Sequence, residues 1–336
     1  MRILVTGGAG YVGSFTVRHL LAQGHTVTVF DNLSTGHQQA VPAGCLIVGD
    51  LRDIDQIDQL LIVQRIEAVI HFAAVCLVGE SVREPARYYT HNVIYGLQLL
   101  ERCRRNGVQR FIFSSSCAVY GIPASTPIPE DAPLAPIHPY GRTKLALEHA
   151  LADYAAAYGM ATVALRYFNA AGAAADGSLG EDHDPETHLI PRVLRVALQQ
   201  EPAVEIFGTD YPTADGTCIR DYVHVEDLAT AHALALTHAQ PGQFRAYNVG
   251  LGRGYSVREV IATAEEVTGQ RLPVREGPRR PGDPPVLVAD HRRIQDAWGW
   301  QPRYTDLRSI IATAWEWHRR HPSGLRQHPS GLRQKV

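Results

Sequence analysis

Tyr140 and Lys144 are spaced as Tyr-x-x-x-Lys within a stretch with helical apolar spacing, Tyr140–Tyr158. Residues four apart share one helix face, so the phenol and the amine stand side by side. A free tyrosine titrates near pH ~10 and is a poor base at neutrality. A neighbouring ammonium, or a cationic ligand ring, favours the phenolate and would turn Tyr140 into a proton acceptor. Ser114-Ser115-Ser116 follows the apolar run Arg110–Phe113 directly. A hydroxyl at that point can bridge a substrate oxygen and the phenol, a task assigned here to Ser116. Tyr–Lys pairs at this spacing are common in ordinary helices, and serines are ordinary strand caps, so the triplet acquires meaning only beside a second motif.

That motif opens the chain. Gly7, Gly8, Gly10 and Gly13 lie between the apolar run Arg2–Thr6 and the helical pattern Val12–Gln23. Glycines there let the backbone turn tightly and bring N–H groups against a pyrophosphate, with the positive end of the following helix behind them. Asp31 ends the next β-branched run, eighteen residues after Gly13. A carboxylate so placed accepts hydrogen bonds from a ribose hydroxyl pair and repels a 2′-phosphate, which selects NAD over NADP. Asn32 and the residues after it also suit a turn. Asp50 follows a third strand and is placed near the adenine edge.

Elements that could position these groups alternate along the chain. Strands are expected at Arg2–Thr6, Val27–Phe30, Cys45–Val48, Ala68–Phe72, Arg110–Ser114 and Thr162–Tyr167, with helices at Val12–Gln23, Ile54–Val63, Pro85–Arg105 and Tyr140–Tyr158. Unbroken apolar strands alternating with helices predict an α/β fold, a Rossmann-type doubly wound parallel sheet covered on both faces. After Asn169 the chain becomes rich in Gly, Pro and His, which predicts a smaller, mixed substrate-binding domain. The expected division is residues 1–169 and 217–250 for dinucleotide binding and 170–216 and 251–320 for substrate. HPSGLRQ occurs twice in succession from His321, so 321–336 is expected to be a disordered, duplicated tail.

The 336 residues are 45% hydrophobic and carry a net charge of −2, which excludes a strongly basic nucleic-acid surface and suffices for a large core. No apolar run is long enough for a membrane span or a signal peptide. Five cysteines without a Cys-x-x-Cys pair predict neither a disulfide framework nor a zinc cluster and point to a reducing, cytoplasmic setting. The 16 histidines show no metal-ligand spacing, and no metal site is expected.

The segments TGGAGYVGS, FDNLSTG, GDLRD, HFAA, FIFSSSCAVYG, PYGRTK, LRYFNAAG, HLIP and IRDYVHVEDLA resemble the extended short-chain dehydrogenase/reductases across about residues 1–320. Within that family they most resemble the UDP-glucose/UDP-galactose 4-epimerases. The resemblance implies an NAD-dependent 4-epimerase that passes through a transient 4-keto sugar and acts as a homodimer. Tyr140 would be the base, Lys144 would orient ribose and lower the phenol pKa, and Ser116 would support proton transfer. It implies cofactor contacts from Gly7, Gly10, Tyr11, Val12, Gly13, Asp31, Asn32, Asp50, Leu51, Phe72, Ala73, Ala74, Asn92, Ser114 and Tyr167. Contacts to the UDP-sugar would come from Asn169, His188, Leu189, Phe207, Arg220, Arg280 and Asp283, besides Ser116 and Tyr140. Two arginines suit a diphosphate, because guanidinium forks pair with phosphate oxygens. The chain departs from relatives at Cys76 (often Lys, Asn or His), Ala118 (Thr in some) and His188 (often Asn). Leu287 stands at the position that gates room around the sugar 2-substituent. Ser116 is followed by Cys117 and Ala118 rather than a carboxylate, which disfavours dehydration. Epimerases of UDP-GlcNAc or of UDP-xylose/arabinose remain alternatives. A non-catalytic NAD-binding scaffold or redox sensor is a third, at odds with the intact Tyr140, Lys144 and Ser116.

Overall fold

The computed structural model describes residues 1–280 and 282–325. Its strands are β1 (Arg2–Thr6), β2 (Thr26–Asp31), β3 (Leu46–Val48), β4 (Ala68–His71), β5 (Arg110–Ser114), β6 (Ala161–Tyr167), β7 (Asn169–Ala171), β8 (Val204–Phe207), β9 (Ile219–His224), β10 (Phe244–Val249), β11 (Gly254–Ser256), β12 (Val274–Gly277) and β13 (Val286–Leu287). Its helices are α1 (Tyr11–Ala22), α2 (Ile54–Val63), α3 (Val78–Arg83), α4 (Pro85–Tyr88), α5 (Tyr95–Arg105), α6 (Pro139–Tyr158), α7 (Leu189–Ala197), α8 (Val225–His238), α9 (Val257–Thr268), α10 (Arg292–Trp298) and α11 (Leu307–Arg320).

Seven strands form one parallel sheet in the order β10-β6-β5-β4-β1-β2-β3. The strand order reverses between β1 and β4, and a crevice opens there at the carboxyl ends of the strands. Valines and isoleucines of β1, β4 and β5 have both faces covered: Ile3, Val5, Ile70 and Ile112 pack with Val17 and Leu20 of α1 and Leu228 of α8. The opposite face holds Leu4, Val69, Phe111 and Phe113 with Leu60 of α2, Leu99 of α5 and Leu147 of α6.

The smaller domain is more regular than its Gly- and Pro-rich sequence suggests. β9 pairs with β7, β11 and β13, and β8 pairs with β12. A separate core of Ile190, Val193, Leu194, Val260, Ile261, Ile310 and Ile311 binds α7, α9 and α11 to these strands. Helix α9 carries a complete capping box, Ser256 with Glu259, and ends at Gly269 in the left-handed region. Three expectations are corrected. β9 joins the smaller sheet rather than the large one, although α8 and β10, which follow it, return to the large domain. Helix α10 packs against the large domain through Ile294 and Trp298. The tail does not begin disordered at His321: residues 322–325 form a turn in which the Leu325 amide donates to Asp182 and Pro322 accepts from Gln200. The remainder of the duplication lies outside the described residues.

The expected helix Pro85–Arg105 contains a π-helical turn, Tyr89–Ile94, between α4 and α5. Such turns add one residue per turn and redirect a side chain. Here Asn92 faces inward, at 4% exposure, towards the cofactor-side loop after β4. Among the described residues, no helix is long and apolar enough to cross a membrane.

Candidate active site

The glycine turn is built for close approach. Gly7 has φ +73°, and a Cβ there would lie 2.5 Å from the Ala73 amide nitrogen. A Cβ on Gly13 would lie 2.3 Å from the Gly7 carbonyl oxygen. Gly10 caps α1 with no side-chain hydrogen bond and no acidic residue follows in the first turn. The leading amides and the positive end of α1 therefore face the crevice, a cradle suited to a pyrophosphate. Asp31 is 8% exposed and accepts from the Ala9 amide through one oxygen and the Leu33 amide through the other, both at 2.9 Å. Burial raises its pKa, and those two amides oppose the rise. Asp31 thus ties the glycine turn to the end of β2, while each oxygen keeps a lone pair for a ribose hydroxyl. Asn32 donates to Asp50 at 2.8 Å. The hydrogen bonds from Asn32 and Arg52 outweigh desolvation and hold Asp50 at about 2, so it stays ionised.

Across the crevice, Asn92 accepts from the Val75 amide at 2.9 Å and donates to the Val75 carbonyl and the Thr143 hydroxyl. One side chain so fixes the Phe72–Ala74 loop against α6. These residues fit a dinucleotide: a glycine cradle, an acidic ribose acceptor and a backbone ledge formed by the loop.

Lys144, 3% exposed, donates to the Ser114 carbonyl at 2.8 Å, and its Nζ stands 5.8 Å from the centre of the Tyr140 ring. Burial lowers its pKa to about 8. The Ser114 hydroxyl bonds the Tyr167 phenol at 2.9 Å. Ser116 accepts from the Ala118 amide. Burial pushes the Tyr140 pKa well above its ordinary value, with Tyr167 and Cys76 acting in the same direction, and Ser116 opposes the rise. Desolvation dominates at Tyr140, and the same burial depresses Lys144. A cationic ring bound beside Tyr140 would act in the opposite sense.

Sequence reasoning passed over the support behind this triplet. Ser115 donates to Glu148 at 2.5 Å, and Glu148 forms a fully buried ion pair with Arg166 at 2.6 Å. Arg166 donates to Tyr120, which donates to Asn248 on β10. Glu148 lies four residues beyond Lys144 on the same face of α6, and Arg166 interrupts an otherwise apolar strand. Those two irregularities were the available signals.

The substrate-side residues fall into two groups. Phe207, Arg220, Arg280 and Asp283 come together: Arg220 pairs with Asp283, and the Arg280 guanidinium lies 4.0 Å above the Phe207 ring. Arg280 feels the charge of Arg192 on α7, which brings this cluster near the second group, His188 and Leu189 at the start of α7. Asn169 opens β7. The His188 ring turns to Glu181 at 2.5 Å rather than standing free. Leu287 pairs in register with Arg220 and is 9% exposed.

Fold and crevice together define a dinucleotide-binding enzyme. The chain belongs to the NAD dependent epimerase/dehydratase family, whose model matches residues 3–250. It is 50% identical over 325 residues to a UDP-glucose 4-epimerase of Halalkalibacterium halodurans, covering 96% of this chain and 97% of that one. A crystal structure of UDP-glucose 4-epimerase from Brucella ovis in complex with NAD is 51% identical, with a TM-score of 0.90 over 94% of this chain and 97% of its own. A structure from Bifidobacterium longum in complex with NAD+ and UDP is 37% identical, with a TM-score of 0.92 over 96% of this chain and 100% of its own.

Proposed function

We propose that this enzyme interconverts UDP-galactose and UDP-glucose by inverting C4 of the sugar. The observation that carries the reading is the coincidence, in one crevice, of the glycine cradle with Tyr140, Lys144 and Ser116, in a chain half identical to UDP-glucose 4-epimerases. Bound NAD supplies the acceptor and donor of the C4 hydride. Gly7, Gly10, Gly13 and the amides of Tyr11 and Val12 hold its pyrophosphate. Asp31 and Asn32 take the adenosine ribose, and Asp50 with Leu51 borders the adenine. Phe72, Ala73, Ala74, Asn92, Ser114 and Tyr167 form the walls towards the reactive end.

The Tyr140 phenolate takes the proton from the C4 hydroxyl as the C–H bond breaks, and Ser116 holds the same oxygen. When the keto sugar presents its other face, the phenol returns that proton to the new hydroxyl. Lys144 keeps Tyr140 oriented and supplies positive charge to the ionised form. Arg220 and Arg280 grip the diphosphate, Phe207 stacks beside the nucleotide, and Asn169, His188 and Leu189 hold the substrate from the other side. Asp283 keeps Arg220 aimed.

The enzyme works as a homodimer in the cytoplasm. Support for the dimer comes from Val78, Val82, Tyr89, Ile94 and Tyr158, large apolar side chains exposed along α3 to α6. Support for the compartment comes from five free thiols. Gel filtration is expected to give twice the chain mass.

Purified enzyme given UDP-galactose without added NAD is expected to form UDP-glucose, resolved by anion-exchange chromatography. No conversion even with NAD supplied, alongside conversion of UDP-GlcNAc or a UDP-pentose, would transfer the mechanism to that sugar.

A further inference from the structure

The stretch Glu181-Asp-His-Asp-Pro-Glu-Thr-His188 leads into α7 and shows none of the familiar metal-ligand spacings. Folding nevertheless turns Glu181, His183, Glu186 and His188 towards one point. Each offers one ligand atom, and the four atoms lie within 4.8 Å of one another. His183 Nδ1 stands 3.2 Å from Glu181 Oε1 and 3.7 Å from Glu186 Oε2. His188 Nδ1 stands 3.6 Å from Glu186 Oε1 and 2.5 Å from Glu181 Oε1. A tetrahedral ion with bonds of ~2.1 Å spaces its ligand atoms by about 3.4 Å. The separations of His183 from Glu181 and from Glu186 Oε2 already lie near that spacing, while a hydrogen bond draws His188 closer to Glu181.

A quartet of ion pairs is the simpler account of such a cluster, but it leaves one atom unexplained. The Glu186 side chain is 0% exposed. Its Oε1 is held by the amides of Thr187 and His188, at 2.7 and 2.8 Å. Its Oε2 turns into the cluster and makes no hydrogen bond, the nearest group being His183 Nδ1 at 3.7 Å. A buried carboxylate oxygen is rarely left without a partner. Here the amides fix one oxygen and orient the other, as outer-shell hydrogen bonds do for metal ligands. His188, 47% exposed, leaves an open side through which an ion could enter.

We propose that Glu181, His183, Glu186 and His188 form a binding site for a borderline divalent cation of the zinc class. Two imidazoles with two carboxylates suit Zn2+ or Co2+, whereas Mg2+ and Ca2+ take oxygen ligands. The His183 ring meets the Tyr11 ring edge-on at 6.3 Å, so the ion lies between the start of α1 and the start of α7. It pins the loop that carries His188 and Leu189, and it does so whichever sugar the enzyme takes.

The test uses the untagged full chain, stripped with a chelator and titrated with Co2+. The expected result is saturable binding of one ion per chain, with a visible absorption band that Zn2+ abolishes. Zn2+ is also expected to raise the melting temperature of the parent protein, a readout that needs no variant. His183→Gln and Glu186→Gln are each expected to abolish the band, with metal-free melting temperatures close to that of the metal-free parent. No saturable binding to the parent overturns the proposal and leaves an ion-pair quartet. A band unchanged in both variants also overturns it, because the ion then lies elsewhere.

Discussion

On the proposed mechanism the chemistry concentrates at Tyr140, whose surroundings both oppose and assist it. Burial drives its phenol well above the ordinary value, while Ser116 draws it down. Tyr140→Phe removes the only atom that can move the proton and little else. It is expected to lower kcat on UDP-galactose by about 10²–10⁴-fold, with an unchanged melting temperature; a kcat within a factor of two of the parent would remove Tyr140 from the mechanism. At this scale the sequence was informative for the residues assembled in the crevice: Tyr140, Lys144, Ser116 and Asp31 stand out by type and spacing. It was silent on the balance between desolvation and charge at Tyr140, because that balance depends on burial, which no local pattern encodes. Glu148 and Arg166 were missed for a related reason: they meet each other across the sheet and touch no ligand.

At the scale of elements, the turn before α1 and the buried pair behind α6 carry the precision of the site. Gly13→Ala forces a methyl to within 2.3 Å of the Gly7 carbonyl, so either the turn or α1 must shift. Purified Gly13→Ala protein is expected to hold far less NAD than the parent, measured by absorbance after acid release. Equal content would mean that the turn tolerates the methyl. Glu148→Ala leaves Arg166 charged and unpaired in a site 4% exposed. Breaking a buried ion pair from one side costs about 3–5 kcal/mol, and urea unfolding is the measurement; a loss below about 1 kcal/mol would make the pair dispensable. The elements β1, α1, α2, β5 and α6 were legible almost to the residue, because β1 and β5 are unbroken apolar runs and the helices are bounded by clear signals: Gly24 after α1, Asp53 before α2, and Pro139 and Gly159 at the ends of α6. The π-turn at Tyr89–Ile94 was not, since one extra residue leaves the apolar pattern of Pro85–Arg105 nearly intact. The membership of β9 was not either. An apolar strand looks the same in either sheet, and β9 is assigned by its partners β7, β11 and β13.

For the whole molecule, the buried histidines dominate the response to acid. Burial pulls His71 and His224 to about 3, and His232 and His318 to about 4, from an ordinary 6.5. An unfolded chain protonates them near 6.5, so their contribution to stability is complete above that pH and is lost as pH falls towards 4. Asp221 and Asp227 act in the opposite direction. Burial raises both to about 6 from 3.8, so their contribution is complete below 3.8 and lost as pH rises through 6. Asp31 and Glu130 are raised as well, but His19, His25, His91, His138 and His291 are also lowered by burial, so the histidines prevail and the melting temperature is expected to fall between pH 6.5 and about 4.5. A profile that is flat or rises on acidification would contradict the assignment of these histidines as buried and neutral. At this scale the sequence announced two domains and a parallel sheet. It understated the smaller domain, whose core of α7, α9 and α11 is assembled from helices separated by Pro- and Gly-rich loops.

The central claim is that C4 inverts by hydride return within one active site, with Tyr140 shuttling only the hydroxyl proton. The direct measurement is conversion of UDP-galactose carrying deuterium at C4, in ordinary water, with the product UDP-glucose analysed by mass spectrometry and NMR. The account predicts that the deuterium stays on C4 of the product, on the inverted carbon. Product with hydrogen at C4 and deuterium released to solvent would contradict it, because inversion would then proceed by exchange with water rather than by return of the same hydride.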